Sequence, residues 1–279
     1  MARVRNGRSM VNAVSIDDHT LCWALETSAF LVPELPGRVA RLDVPGIQGR
    51  ITADSDPFAN LVGAATLDEG NADETIRQVC EIFAGWKKEF GWLVSPLSTP
   101  WDLCSRLESA SLVKSVEMAG MVCTDLGRPI AANPAVYVHE ATADDVEAAI
   151  HTLADAMEIP ADRAYAMTEA LFFSPEPIMR RVYLAYVEGV DYPVATAGML
   201  YMPDLPIALL LSSATLRDFR GYGIYTSLMA RRLADARQDG IEAVVIQAVR
   251  ATSAPICRKL GFVEVMPMEL YVGQAESEI

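Results

Sequence analysis

Ser212-Ser213-Ala214-Thr215-Leu216-Arg217-Asp218-Phe219-Arg220-Gly221-Tyr222-Gly223-Ile224-Tyr225-Thr226 is the stretch on which the reading of this chain turns. An apolar run that starts at Ile207 ends within it, a glycine-bearing loop follows, and an amphipathic segment begins at Ile224. Tyr225, Met229, Leu233 and Ala236 recur at helical spacing, so a helix is predicted over 224–238 with Gly240 as its stop. A strand-to-helix turn of this kind directs several backbone N–H groups at one point, and the helix N-terminus adds partial positive charge there. Phosphate or pyrophosphate is the ligand class that such a point attracts. Gly221 and Gly223 permit unusual backbone angles and a close approach, and Arg220 offers a charge-assisted bond. Two glycines alone would equally make an ordinary tight turn.

Working outward, the pattern predicts a strand over 135–139 and a helix capped by Thr142 that runs to Met157. A second helix starts at Pro160 and ends before Ser174. Strands follow over 181–187, 195–202 and 207–215. Beyond the helix, 243–249 is a continuous apolar strand of the kind covered on both faces. A short helix over 253–260 ends at Gly261, and a last strand covers 263–272.

With Leu260-Gly261-Phe262 included, the segment from Val136 to Val272 resembles the GNAT superfamily of acyl-CoA-dependent N-acyltransferases. The family signature is Arg or Gln, two residues, Gly, one residue, then Gly or Ala. Here it reads Arg220, Gly221-Tyr222, Gly223, Ile224 and then Tyr225, a departure at the last anchor. The resemblance implies acetyl-CoA as co-substrate. It implies that the backbone of Ser213, Ala214 and Thr215 pairs with the pantetheine arm. It also implies that Arg220 and the amides of Gly221, Tyr222, Gly223, Ile224, Tyr225 and Thr226 hold the pyrophosphate. The acyl carbonyl would sit where the strands 207–215 and 243–249 splay apart, and an amine would attack the thioester directly. Many members place a tyrosine general acid five residues before the phenylalanine of the Gly-Phe pair; that position here is Cys257. A thiol of ordinary pKa near 8.5 could donate a proton or, activated, act as a nucleophile. A cysteine on a helix reads equally as a small buried hydrophobe. Cys257 is therefore the candidate catalytic residue. Glu169, Glu188, Asp204 and Glu269 are carboxylates to weigh as a base, and each also reads as a solvated surface group.

The first half is less sharply patterned. Helices are predicted over 19–31, 72–88 and 100–107, and strands over 38–42, 60–67, 92–95 and 116–122. Its order (strand, loop, long helix, strand, short helix, strand) repeats that of the second half, and Ala65-Thr66-Leu67 parallels Ala214-Thr215-Leu216. The expected fold is α/β (α+β): two GNAT-like domains, each a mixed, mostly antiparallel sheet flanked by helices. The boundary falls in Gly127-Arg-Pro-Ile-Ala-Ala-Asn-Pro134. Residues 1–130 form a degenerate GNAT-like domain and 135–279 an acetyl-CoA-binding one. In the first half the place of the glycine loop reads Asp68-Glu69-Gly70-Asn71-Ala72-Asp73-Glu74. Four carboxylates there would repel an arriving anion, so this half is expected to hold no cofactor.

Composition narrows the partners. The formal net charge of −14 disfavours nucleic acid, whose binding rests on neutralising phosphates. No apolar run reaches membrane-spanning length, and residues 1–14 carry three arginines without a signal-peptide core. Five scattered cysteines without a CxxC pair and three histidines without ligand spacing fit free thiols in a cytoplasmic protein with no metal site. The acceptor is expected to be a small-molecule or peptide amine, and a homodimer is an admissible assembly. Two further readings stay open: a GNAT-like protein that binds acyl-CoA without turnover, and a ligand-free scaffold.

Overall fold

The computed structural model of the 279-residue chain describes residues 16–172 and 179–273. The reading of residues 1–14 therefore falls outside the described residues. The first half runs α1 (Asp18–Thr27), β1 (Val39–Arg41), β2 (Gln48–Thr52), β3 (Leu61–Gly63), α2 (Ala72–Gly85), β4 (Phe90–Val94), α3 (Leu103–Ser109) and β5 (Val113–Cys123). The second half runs β6 (Val136–Glu140), α4 (Val146–Met157), α5 (Ala161–Phe172), β7 (Arg180–Val187), β8 (Ala195–Tyr201) and β9 (Ile207–Thr215). It is completed by α6 (Ile224–Gln238), β10 (Ala243–Val249), α7 (Ser253–Lys259) and β11 (Val263–Gly273).

The mixed, mostly antiparallel α/β class is as expected, but the two halves do not carry separate sheets. All eleven strands form one sheet in the order β1-β2-β3-β4-β11-β5-β10-β9-β8-β7-β6. The closing strands have crossed over. β11, last in the second half, pairs with β4 of the first, and β5, last in the first half, pairs with β10 of the second. β5 and β11 then pair with each other, antiparallel, at the centre. Each closing strand is eleven residues long and follows a seven-residue helix, so either half offers the same edge to either strand. The stretch 127–134 is irregular, yet the sheet is continuous across the two halves.

Side-chain alternation assigns the helices to faces. Trp92 of β4 packs with Ile76 and Val79 of α2 and with Leu103 and Leu107 of α3. The neighbouring Leu93 points the other way, joining Leu21, Ala24 and Leu25 of α1. In β10, Val244, Ile246 and Ala248 meet Leu228 and Leu233 of α6 and Cys257 of α7, while Ala243 and Val245 meet α1. One face is thus covered by α2, α3, α6 and α7, and α1 crosses the middle of the other. α2 shows why such a segment is helical: Ile76, Val79 and Phe83 are buried at helical spacing, and Asp73 and Glu74 occupy its first turn. Among the described residues no helix is long and apolar enough to cross a membrane. All five cysteines are free thiols.

Candidate functional site

The two parallel pairings of the sheet, β3 with β4 and β9 with β10, occupy equivalent places in the two halves. β9 and β10 are in register only at Ile207↔Ala243, Ala208↔Val244 and Leu209↔Val245. Beyond that point the strands part. β9 continues to Thr215 against β8, and β10 continues to Val249 against β5, so a V-shaped opening lies between them. In the open part β9 carries a bulge. Thr196 and Gly198 of β8 enclose one residue, whereas their partners Ala214 and Leu211 enclose Ser212 and Ser213. Ser212 has φ 48°, a left-handed angle costly for a residue with a side chain. The bulge turns local backbone groups out of the ladder at the mouth of the opening.

The loop after β9 leads to α6. Gly221 has φ 85° and Gly223 has φ 73°. A Cβ on Gly221 would meet nothing within 4 Å, so the backbone angle rather than space calls for glycine there. The first turn of α6 has no side-chain cap and no acidic residue. The leading N–H groups of the helix, Ile224, Tyr225 and Thr226 among them, thus face outward without an intrahelical acceptor. These features fit a pyrophosphate: unopposed donors, the positive end of a four-turn helix, and an open approach past Gly221.

Arg220 stands beside this turn, but its guanidinium braces the scaffold. Its Nε donates to Thr215 O at 3.1 Å and its Nη2 to Ala156 O at 2.9 Å, tying the end of β9 to the end of α4. Asn133, from the linker, is a second brace that sequence reading passed over. Its Nδ2 donates to Tyr222 O at 2.8 Å, and its own N–H is received by Ser227 Oγ at 3.1 Å. Asn133 lies between Pro129 and Pro134 in a stretch without periodicity, so only the fold reveals this contact.

Tyr225, where the signature has Gly or Ala, leaves the N–H groups of the turn clear. Its ring turns under α6 and packs against the core that holds Leu228, Ile246 and Cys257. Its hydroxyl lies 3.6 Å from Cys257 Sγ. Burial pushes both the Tyr225 phenol and the Cys257 thiol above their ordinary ranges, so both keep their protons at neutral pH. Cys257 is completely buried, an environment that favours a hydrogen-bonding thiol over a free thiolate nucleophile.

Arg232, also on α6, lies next to this pair. Its guanidinium carbon is 6.0 Å from the Tyr225 ring centre, and its Nη1 donates to Ser213 Oγ at 3.0 Å and to Gly198 O at 3.3 Å. The spacing of Tyr225, Met229, Arg232 and Ala236 places this arginine on the apolar stripe, and that was the signal for it in the sequence. On the opposite face of the sheet, Gln247 of β10 donates from Nε2 to Leu25 O of α1 at 2.6 Å.

The carboxylates weighed as bases are scattered. Glu188 and Asp204 are exposed. Glu269 sits on β11, where it accepts from Lys114 Nζ of the first half and from the Tyr271 hydroxyl of its own strand. The side chain of Glu169 lies outside those the structure describes.

The equivalent opening in the first half is closed. β3 and β4 are in register at Leu61↔Gly91 and Val62↔Trp92, and beyond them the chain fills its own gap. Thr99 N donates to Ala65 O at 2.9 Å, Leu67 N to Thr99 O at 3.3 Å, and Thr99 Oγ1 to Leu67 O at 3.0 Å. At the start of α2, Arg106 Nη1 pairs with Asp73 at 2.9 Å and with Glu69 O at 3.3 Å.

No protein-family model and no curated protein matches the chain. Solved structures do. A GCN5-related N-acetyltransferase from Kribbella flavida superposes with a TM-score of 0.65 at 19% identity, covering 86% of this chain and 91% of that one. A GCN5-related N-acetyltransferase from Sphaerobacter thermophilus gives 0.62 at 14% identity, covering 90% and 85%. A tandem GNAT protein from the clavulanic acid biosynthesis pathway gives 0.59 at 10% identity, covering 91% and 89%. At these identities the likeness is one of architecture. The chain has the fold of the GNAT acetyltransferases, one large mixed sheet flanked by helices.

Proposed function

We propose that the second half of this chain binds an acyl-CoA and transfers its acyl group to a primary amine of a small molecule or peptide. The observation that carries this reading is the coincidence of two features: the β9–β10 opening with its bulge at Ser212-Ser213, and the unopposed α6 N-terminus behind Gly221 and Gly223. The pyrophosphate lies on the amides of Gly221 to Thr226, and the pantetheine arm runs along Ser213, Ala214 and Thr215. Arg220 fixes the shape of the cradle through Thr215 and Ala156, and its positive charge adds to the field there. Acetyl-CoA is the simplest such donor.

The amine nitrogen attacks the thioester carbonyl, a C–N bond forms, and the C–S bond breaks with its electron pair passing to sulfur. The proton that leaves nitrogen balances the one that the thiolate takes up. The role assigned to Tyr225 and Cys257 is hydrogen-bond donation toward the departing sulfur, because both hold their protons firmly. Orientation of amine and thioester in the opening lowers the barrier further.

The first half is read as a degenerate GNAT-like domain without cofactor, since its gap is sewn shut by residues 65–67 and 99. Each half lends its closing strand to the other, so residues 1–130 serve as the structural partner of 135–279.

Titration with CoA and acetyl-CoA, followed by thermal unfolding, tests binding. At a hundredfold excess over Kd, stabilisation of about 2.7 kcal/mol is expected. No shift with either ligand would overturn the reading. Release of free thiol across a panel of amines separates turnover from the second reading, a non-catalytic acyl-CoA-binding protein. That alternative is favoured by one observation: Cys257 stands buried where the family's tyrosine acid is expected.

A further inference from the structure

Arg232 is completely buried, and no carboxylate of the described residues faces it. Its Nε donates to Leu228 O at 3.4 Å, and its other neighbours are the Tyr225 side chain, Tyr183, the Cys257 thiol, Gly198 O and Ser213 Oγ, all uncharged while Tyr225, Tyr183 and Cys257 keep their protons. Asp235, one turn further along α6, is turned away. It accepts from both Arg231 and the Tyr183 hydroxyl. Arg232 Nη2 is buried with no hydrogen-bond partner among the described residues. Arg50 makes the contrast. Its three guanidinium nitrogens each meet a carbonyl, from Ala59, Ala29 and Phe58, as befits an arginine that only ties loops together. A neutral donor would satisfy Gly198 O at the bulge. A buried cation with an idle fork nitrogen is costly, and an anion brought by a ligand offsets that cost.

Position narrows the ligand. Arg232 lies eight residues along α6 from Ile224, about 12 Å down the helix axis from the cradle. Its Nη1 contact is Ser213, a bulge residue in the parted stretch of β9. On its other side are Tyr225 and Cys257, and α7, which carries Cys257, packs on β10. The guanidinium therefore sits against the β9 wall of the opening, deeper than the pyrophosphate and at the depth of the bulge.

Resting on the acyl-CoA reading above, we propose that Arg232 receives the free carboxylate of a short dicarboxylic acyl group, so that the donor is an anionic acyl thioester of the malonyl or succinyl class. Ser213 Oγ and Arg232 Nη2 form the receiving pair. Guanidinium and carboxylate match in plane and in hydrogen-bond geometry, which an acetyl methyl cannot.

Calorimetric titration of the full chain with CoA, acetyl-CoA, malonyl-CoA and succinyl-CoA tests this. One of the two dicarboxylic thioesters should bind about tenfold or more tightly than acetyl-CoA. Arg232→Met should remove that preference while keeping CoA binding, and Arg232→Lys should keep part of it. Equal affinity of the wild-type chain for all three thioesters overturns the proposal whether or not the variants fold. So does an undiminished preference in Arg232→Met. Failure to bind CoA itself overturns the acyl-CoA reading and this proposal together, whereas equal binding of all thioesters overturns this proposal alone.

Discussion

The hydroxyl of Tyr225 lies 3.6 Å from the sulfur of Cys257, joining the first turn of α6 to the middle of α7 across the core. The contact couples the two positions at which the chain departs from the GNAT signature. A tyrosine has entered at the cradle, and a cysteine stands on the short helix. Removing the hydroxyl alone tests what the pair does. Tyr225→Phe should lower kcat about tenfold or more, with little change in KM for the acyl-CoA, and should cost about 0.5–1.5 kcal/mol of stability. Steady-state kinetics and urea unfolding provide the two readouts. A raised KM at constant kcat would make the phenol a binding element only.

Gly221 holds φ 85° with open space around it. Gly221→Ala should therefore cost about 1–2 kcal/mol through the backbone angle alone. Binding of CoA should weaken as the amides rotate away from the cradle. Thermal unfolding with and without CoA distinguishes these effects, since an unchanged ligand-induced shift would place the pyrophosphate elsewhere.

Asn133 ties the linker to Tyr222 O and to Ser227. Asn133→Ala should destabilise the chain by about 1 kcal/mol and should weaken CoA binding by loosening the loop, although it removes no group assigned to the cofactor. Calorimetric Kd values for wild type and variant check this.

One CoA per chain is expected, because Thr99 closes the first-half opening by pairing with Ala65 and Leu67. Calorimetric stoichiometry reads this directly, and a value of two would make the first half a binding domain as well.

Glu264 receives hydrogen bonds from Arg250 and Arg258, which hold its carboxyl below the ordinary glutamate range. A depressed folded-state pKa gives stability that is present above the unfolded value, about 4.3, and lost as the pH falls through the folded one. Unfolding by urea at pH 7, 4 and 3 should show this acid loss. It should be smaller in Glu264→Gln, which has no proton to take up. Because the group is partly exposed, added salt should reduce the effect.

Much of the second half was legible. β9, α6 and β10 begin and end at the residues read from periodicity, and the remaining strands there differ by a residue or two. Their apolar runs are long, and Pro, Gly and Asp mark their ends, so local chemistry sets the boundaries. The first half was less clear for a physical reason. β2, Gln48-Gly-Arg-Ile-Thr52, is polar and mostly half-buried, one strand in from the edge, and gives no apolar alternation to read. The helix expected from Thr142 opens instead with a tight 3₁₀ turn over 143–145, closed by the reciprocal Thr142–Asp145 cap before α4 begins. A capping box marks where helical structure starts but does not choose between the two helix types in the first turn.

Sequence by itself determined the glycine loop, the amphipathic helix behind it, the order of strands and helices in the second half, and the acidic segment at the matching place in the first half. All of these are local, set by backbone angles, periodicity and charge within a few residues. Tertiary structure alone decided the exchange of β5 and β11. A strand's pattern tells which face is buried but not which edge it will join, and these two strands meet equivalent edges. It also decided the fate of the Tyr225 side chain, the sealing of the first-half opening, and the charge balance around Arg232. Each depends on groups brought together from distant parts of the chain, where burial rather than residue type governs what an ionisable or polar group can do.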